Sequence, residues 1–449
     1  MSNLSLNYKK KLLRLSWPIF IESLLFMLLG SVDTFMLSKY SDNSVAAVGV
    51  SNQLIGFINL TFAIITTGTA ILCAQYIGAK DNEKVSKVSM VSLIFNGFLG
   101  VVLSLALVFF AKSILNIMNI GHELMDFSKS YLIIVGGASF AQALSMTVGA
   151  ILRSQGYTKI TMYITIGVNI LNIIGDYALI FGKLGLPSLG VTGAALSTAI
   201  SKIVALIIAI YILFKYIDKN LKINLIKPFP VDILKQLLKI GVPSAGEQIA
   251  YNTSQIAITY FINMIGVTAL TTKAYVSNIV IVTFVFSVAI AQGTSILVGN
   301  LVGKEEKEKA YTLCFYSLKL STGITFILST LCIIFSKPLL GIFTSDPNIL
   351  SLGFKVLVVD WFLEFGRMAN IIIINSLRAA GDVKFPVYCG IVSMWGISVV
   401  MSHILGIKLG LGLVGVWISF AMDEIIRGIL MYMRWKTKKW QQISLIYSR

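Results

Sequence analysis

The sequence is short of charge. Only 13% of its 449 residues are Asp, Glu, Lys or Arg, whereas 56% are hydrophobic. A soluble protein of this length carries about 25% charged residues. With fewer, large apolar patches would face water and associate. This shortage excludes an ordinary water-soluble protein and indicates the lipid bilayer as the solvent.

Histidine and cysteine are also scarce, with two and four residues. The cysteines lie in or beside apolar runs without CxxC spacing, which favours packing roles over metal ligation or disulfides. The chain has no HExxH, paired-His or nucleophile motif and no GxxxxGK[ST] phosphate loop. We therefore expect neither an enzyme nor an ATPase, and neither a cofactor nor a resident metal.

Acidic residues are few as well: 20 Asp and Glu stand against 37 Lys and Arg, which gives a formal charge of +17. Nucleic-acid binding could explain such a charge. However, the basic residues form short clusters between long apolar runs and are not interleaved with aromatic residues as a base-stacking surface would require. We expect no nucleic-acid partner.

Long apolar runs are abundant. A membrane-spanning helix needs about 20 mostly apolar residues, and this rule predicts an all-α polytopic membrane protein with twelve transmembrane helices. The predicted spans are 15–37, 48–77, 88–111, 130–152, 160–182, 190–214, 238–264, 272–300, 312–336, 352–377, 385–407 and 411–433.

Lys and Arg are unevenly shared between the two sets of connecting loops. The loops on the side of both termini hold most of them, whereas the opposite loops hold about one each. Cytoplasmic loops carry such an excess, so we expect both termini in the cytoplasm. The basic residues before the first run resemble a signal peptide, but the run is too long and lacks a cleavage site.

The two halves of the chain repeat at an offset of 225 residues. The matched segments are 15–22 with 240–247, 71–78 with 296–303, and 152–159 with 377–384. We predict two six-helix lobes, an N-lobe of residues 1–220 and a C-lobe of residues 221–449, joined by a cytoplasmic linker around 215–237. Each half has an even number of spans, so the repeats are parallel. Such repeats are typical of secondary transporters, which hold substrate between the halves and alternate its access.

Two aspartates fall inside predicted spans of the first half. An acid in the bilayer costs several kcal/mol and usually marks an ion or proton path. Asp33 lies in the first span; Asn169, Asn172 and Asp176 share one face of the fifth. Such a face can hold a proton or ligate Na+. Alternatively, Asp33 and Asp176 lie near helix ends and are simply wetted.

The second half lacks both acids, because the offset places Ile258 opposite Asp33 and Met401 opposite Asp176. It carries Glu364 and Arg367 instead, three residues apart on one helix. They form either a structural ion pair or a substrate contact.

The first helix of each half contains a proline followed four residues later by a glutamate. Pro18 and Pro243 remove a backbone hydrogen bond and favour a bend. Glu22 and Glu247 have either a structural or a functional role.

Several motifs together resemble the MATE (multidrug and toxic compound extrusion) family across essentially the whole chain. They are "SVDTFMLSKYSDNSVAAVGVSNQ", "LRSQGYTK", "NILNIIGDYALIFGKLGLPSLGVTGAALSTAIS", "GVPSAGEQ" and "INSLRAAGDVKFP". The resemblance implies an antiporter of the bacterial plasma (inner) membrane that works as a monomer. It would export amphiphilic or cationic organic compounds in exchange for H+ or Na+, by alternating access between two lobes.

The resemblance also implies a coupling site made of Asp33, Asn172, Asp176 and Thr198. Some branches of the family carry a functional glutamate in the seventh span, and this chain has Tyr251 at that position. We do not expect Glu247 to take over the role of that glutamate. The alternative function is a lipid-linked precursor flippase of the same superfamily, which would line its cavity with several cations.

Overall fold

The computed structural model describes residues 6–217, 228–443 and 445–446, and these residues contain no β-strand. The α-helices are α1 (Leu6–Ser38), α2 (Asp42–Gly78), α3 (Asn82–Ile117), α4 (His122–Gly137), α5 (Ser139–Ser154), α6 (Thr158–Phe181), α7 (Val191–Ile212), α8 (Val231–Ile265), α9 (Val267–Gly303), α10 (Lys307–Ile334), α11 (Ser336–Gly341), α12 (Pro347–Ala380), α13 (Lys384–Ser393), α14 (Val400–His403) and α15 (Gly412–Lys436). A short π-helical segment extends α7. Two others join α13 to α14 and continue α14, so that Lys384–Lys408 forms one helical run.

Each predicted span lies within or closely overlaps one of these helices or helical runs. Among the described residues, eight helices are long and apolar enough to cross a membrane, or nine if the bent pair α4 and α5 forms one span. The other long helices, α8, α12 and α15, carry charged residues along their length. Helix α3 exposes Phe98, Phe109 and Phe110 by 63%, 74% and 59%, which suits contact with lipid.

The fourth span is bent, which the sequence did not predict. We expected one uninterrupted helix over 130–152, but α4 and α5 meet at 45°. At the break, the backbone N–H of Phe140 donates to Ser104 Oγ at 2.9 Å. This bond from α3 satisfies a donor that the interruption frees, which makes the bend tolerable inside the membrane.

The chain divides into two compact units, and the division falls inside two helices. The N-unit is Ile21–Gly241, and the C-unit comprises the described residues of Met1–Phe20 and Val242–Arg449. Helices α1 and α8 therefore each contribute to both units. The change of unit occurs within three residues of Pro18 and of Pro243, and both helices continue through their proline.

Part of the predicted linker, residues 218–227, lies outside the described residues, and so does the predicted boundary between residues 220 and 221. From Val231 onward the linker region is already helix α8.

Each unit has its own apolar core. In the N-unit, α1, α2, α3, α4 and α7 bury one cluster that includes Leu37, Leu132 and Ala195. In the C-unit, α9, α10, α12 and α15 bury a cluster that also takes in Leu12 and Leu15 from the start of α1. The start of α1 is therefore packed as a core element of the C-unit.

The segment after α15 folds back onto the C-unit. Trp435 and Trp440 are fully buried and stack with ring centroids 4.1 Å apart. Lys307 Nζ donates to the carbonyl of Gln441 at 2.6 Å, and Lys438 pairs with Glu308 at 2.7 Å. These bonds fasten the segment to the start of α10.

Trp440→Ala should lower the free energy of unfolding by about 3 kcal/mol, because a buried Trp to Ala change removes apolar area and leaves a cavity. Thermal unfolding of the purified protein in detergent measures this effect. Lys439→Ala, at an exposed neighbour, is the matched control and should change stability by less than about 0.5 kcal/mol. Equal stability of the two variants would contradict the packing role.

Candidate functional site

Helices α6 and α7 approach each other closely in the N-unit. A Cβ on Gly193 would lie 2.4 Å from the carbonyl oxygen of Leu179, and one on Gly175 would lie 2.5 Å from Ser197 Oγ. Gly193 lets the two helices pack backbone to backbone, and Gly175 leaves room for the side chain of Ser197. The close packing brings the polar face of α6 against α7.

Asp33 of α1 and Asp176 of α6 come together beside this contact. Their carboxyl groups are near enough to interact with each other, and Asp176 is fully buried. Asp33 Oδ1 and both carboxyl oxygens of Asp176 find no hydrogen-bond donor among the described residues. Two adjacent carboxylates repel unless a proton or a metal cation lies between them.

Amide and hydroxyl groups complete the site. Asn172 Nδ2 donates to Ser197 Oγ at 3.2 Å and to Thr198 Oγ1 at 3.5 Å, and Ser197 Oγ donates to the Asn172 carbonyl at 2.9 Å. Asn172 Oδ1 has no donor in the described part of the chain. The structure thus brings together all four residues of the coupling site that the family resemblance implied.

The sequence reasoning missed two members of this site. Lys202 of α7 attracts Asp33 electrostatically. Tyr131 of α4 donates from its hydroxyl to Asn52 Oδ1 at 3.3 Å and is near both acids. The signal for Lys202 was available, because it lies four residues after Thr198 and so shares its helix face. Asp33, Asp176 and Lys202 together carry one excess negative charge when all are ionised.

Asn169, on the same face of α6, has a different contact. Its Nδ2 donates to the carbonyl of Leu25 at 2.9 Å, which ties α6 to α1.

Glu22 and Glu247 form equivalent ion pairs in the two units. Arg153 Nη1 binds Glu22 Oε1 at 2.9 Å, and Arg378 Nη2 binds Glu247 Oε2 at 2.5 Å. The offset of 225 relates both the glutamates and the arginines. Each pair joins the first helix of one half to the fourth span of the same half.

The C-unit holds a larger charged cluster, which we name the α12–α15 network. It contains Asp360, Glu364 and Arg367 of α12 with Asp423, Glu424 and Arg427 of α15. Arg427 pairs with Asp423 at 2.8 Å and with Glu424 at 3.0 Å, and Glu364 pairs with Arg367. The network has four acids and two arginines. We missed Asp423 and Glu424, whose sequence signal is two adjacent acids inside an apolar run.

Comparison with known proteins gives the chain its family. The MatE family model matches residues 18–178 and 243–404, one match in each repeat and together more than half of the chain. The chain belongs to the MATE family. Family membership makes it a membrane transporter rather than an enzyme.

This MATE protein has bacterial relatives. It is 49% identical over 431 residues to the uncharacterized transporter YisQ of Bacillus subtilis, covering 96% of this chain and 95% of YisQ. It is 28% identical over 439 residues to the probable multidrug resistance protein NorM of Thermotoga maritima, covering 98% and 94%.

Solved structures share the fold of this MATE protein. An outward-facing multidrug resistance MATE transporter matches with a TM-score of 0.88 at 22% identity, covering 98% of this chain and 97% of that one. A transporter from Pyrococcus furiosus, whose binding pocket is described as having reverse polarity, matches with a TM-score of 0.87 at 23% identity, covering 97% of each chain. The all-α, two-lobed membrane fold is therefore confirmed, with eight or nine helices of the described residues long and apolar enough to cross a membrane.

The paired glutamates of this MATE protein should show energetic coupling with their arginines. Glu247→Gln and Arg378→Met should each destabilise it by about 3 kcal/mol, since each leaves one charge unpaired away from water. The double variant should recover at least about 1 kcal/mol of the summed loss. Thermal unfolding in detergent measures all three.

The exposed Glu306–Lys309 pair, with side chains 34% and 54% exposed, is the control and should show coupling below about 0.5 kcal/mol. Strict additivity for Glu247 and Arg378 would mean that the pair contributes nothing.

Proposed function

We propose that this protein is a secondary antiporter that exports amphiphilic or cationic organic compounds in exchange for protons. The observation that carries the proposal is the meeting of Asp33 and Asp176, whose buried oxygens have no donor in the described residues. A transporter needs a group that binds and releases its coupling ion within the membrane. This carboxyl pair is suited to that task.

Protonation of the pair changes the force between α1 and α6. With both carboxyls ionised, the two helices carry repelling charges; with one proton between them, Asp33 and Asp176 can share a hydrogen bond. Proton binding therefore favours one arrangement of α1 against α6, and proton release favours another. If substrate binds the two arrangements with different affinity, the fluxes of proton and substrate are coupled.

Lys202 supports the proton over Na+ as the coupling ion. Its ammonium already supplies one positive charge near Asp33, so a single proton brings the site to neutrality. A Na+ ion there would be repelled by the ammonium, whereas a proton becomes part of a neutral carboxyl. The oxygens of Asn172 and Thr198 would then hydrogen-bond to the protonated pair.

The substrate class follows from the relatives, several of which are named as probable multidrug resistance proteins. The orientation follows from the distribution of Lys and Arg. We place the protein as a monomer in the bacterial plasma membrane with both termini in the cytoplasm.

Asp33→Asn should abolish dye efflux driven by an imposed pH gradient, with at least a tenfold loss of initial rate, because the amide cannot take up the proton. The assay uses purified protein in liposomes, with the pH gradient and a Na+ gradient imposed separately. Asn43→Asp, which adds a carboxyl near the start of α2 outside the site, is the control. Undiminished pH-driven efflux in Asp33→Asn, or lipid scrambling in place of efflux, would remove the proposal.

Lys202→Met should raise the efflux that a Na+ gradient drives at least threefold, because it removes the ammonium that repels Na+ from Asp33 while keeping a long apolar side chain. Lys202→Arg keeps the charge and is the matched control. If both variants respond to Na+ as the wild type does, Lys202 does not determine ion selectivity.

A further inference from the structure

An open groove, which we name the α6–α7 groove, lies on the N-unit between these two helices. The helices run antiparallel and touch closely near the end of α6. Toward the start of α6 they enclose about 530 Å³ between residues of the stretches 160–171 and 204–212. The residues described along the walls are all uncharged, and three of them, Tyr163, Leu171 and Ile208, are exposed. The groove is therefore apolar and open at the surface of the N-unit.

Gly167 of α6 makes part of this space. A Cβ on Gly167 would have no other atom within 4 Å, so the wall is lowest where this residue lacks a side chain. Glycine is among the least favourable residues in a helix interior, and local helix stability does not explain its presence. The offset of 225 places Val392 opposite Gly167. The two halves therefore differ here, because only the first leaves out a side chain at this position.

The α6–α7 groove is as long as one leaflet of a bilayer. At a rise of 1.5 Å per residue, the stretch 160–171 of α6 extends over about 16 Å. The hydrocarbon core of a bilayer is about 30 Å thick, so that one leaflet contributes about 15 Å. An apolar groove of this length, open at the surface of a membrane-spanning unit, matches the acyl chain of a phospholipid.

Two exposed lysines mark the end of the groove at which α6 begins. Lys159 directly precedes Ile160, and Lys215 follows Ile212 by three residues, in the π-helical extension of α7. Lys215 Nζ donates to the hydroxyl of Tyr211 at 2.5 Å and lies 4.9 Å from the centre of its ring. These contacts hold the ammonium beside the end of the groove. Tyrosine and lysine are the residues that flank a span at the membrane surface.

We propose that the α6–α7 groove binds an acyl chain of one anionic phospholipid, whose phosphate lies between Lys159 and Lys215. Basic pockets between membrane helices on the cytoplasmic side bind anionic head groups, and the orientation proposed above puts this end of the groove in the cytoplasmic leaflet. The apolar walls hold the chain, and the two ammonium groups select a negative head group over a neutral one. The same charges repel an organic cation. This site does not depend on the antiport proposal.

Native mass spectrometry of the purified full-length protein in detergent tests the site. Phosphatidylglycerol and phosphatidylcholine, both with two oleoyl chains, are titrated separately, and the dissociation constant of the first bound lipid is measured. We expect phosphatidylglycerol to bind at least tenfold more tightly. Lys159→Gln combined with Lys215→Gln should remove this preference. Gly167→Leu, which fills the groove and keeps both lysines, should weaken phosphatidylglycerol binding at least threefold.

Lys112→Gln and Gly56→Leu are the matched controls. Lys112 is an exposed lysine of α3, and Gly56 is an exposed glycine of α2 with no atom within 4 Å of a Cβ built on it; neither lines the groove. Both variants should bind phosphatidylglycerol as the wild type does.

Equal affinity of the wild type for the two lipids would overturn the proposal. An unchanged preference in the double lysine variant, or unchanged phosphatidylglycerol affinity in Gly167→Leu, would do the same. Displacement of phosphatidylglycerol by glycerol 3-phosphate or by the organic cation tetraphenylphosphonium would assign the groove a different occupant and also contradict it. Absence of pH-driven efflux in the wild type would refute antiport only, since lipid binding is measured without a gradient.

Discussion

An ionised group away from water must have a partner, and much of this structure follows from that constraint. A charged side chain in the hydrocarbon costs several kcal/mol unless it is paired or reaches a wet cavity. Several charges on the described helices have such a partner. Arg153 holds Glu22, Arg378 holds Glu247, and Arg427 holds two acids of its own helix. Asp33 and Asp176 carry oxygens without a donor among the described residues, so they are the acids to which we assign ion chemistry.

The internal repeat distinguishes charges that both halves share from charges that only one half carries. Both halves keep the glutamate–arginine pair between the first helix and the fourth span, which indicates a role that both halves need. The carboxyl pair occurs in the first half alone, and the position matching Asp33 is Ile258, a fully buried member of an apolar cluster. The second half carries other acids instead, among them Glu364 on α12 and Asp423 and Glu424 on α15. The two repeats therefore share a scaffold and differ in the chemistry that it carries.

The sequence predicted what depends on local periodicity. Apolar run length predicted the spans, the matched segments predicted the repeat, and the spacing of Asn172 and Asp176 placed them on one face. The meeting of Asp33 with that face came from the family resemblance, since no local pattern relates α1 to α6. The bend at Ala138 was missed because its compensating bond joins Phe140 to Ser104, which lies 36 residues before it. The stack of Trp435 on Trp440 depends on a chain reversal that hydropathy does not encode.

The division of α1 and α8 between the two units also escaped the sequence, and it bears on how coupling could act. A run of apolar residues predicts a helix but not the neighbours that each end of the helix packs against. Residues 6–20 of α1 belong to the C-unit, whereas Asp33, on the same continuous helix, belongs to the N-unit. If protonation of Asp33 shifts α1, as we propose, the shift cannot be confined to one unit without deforming the helix. Pro18, where the helix lacks a backbone hydrogen bond, is the point at which such a deformation costs least.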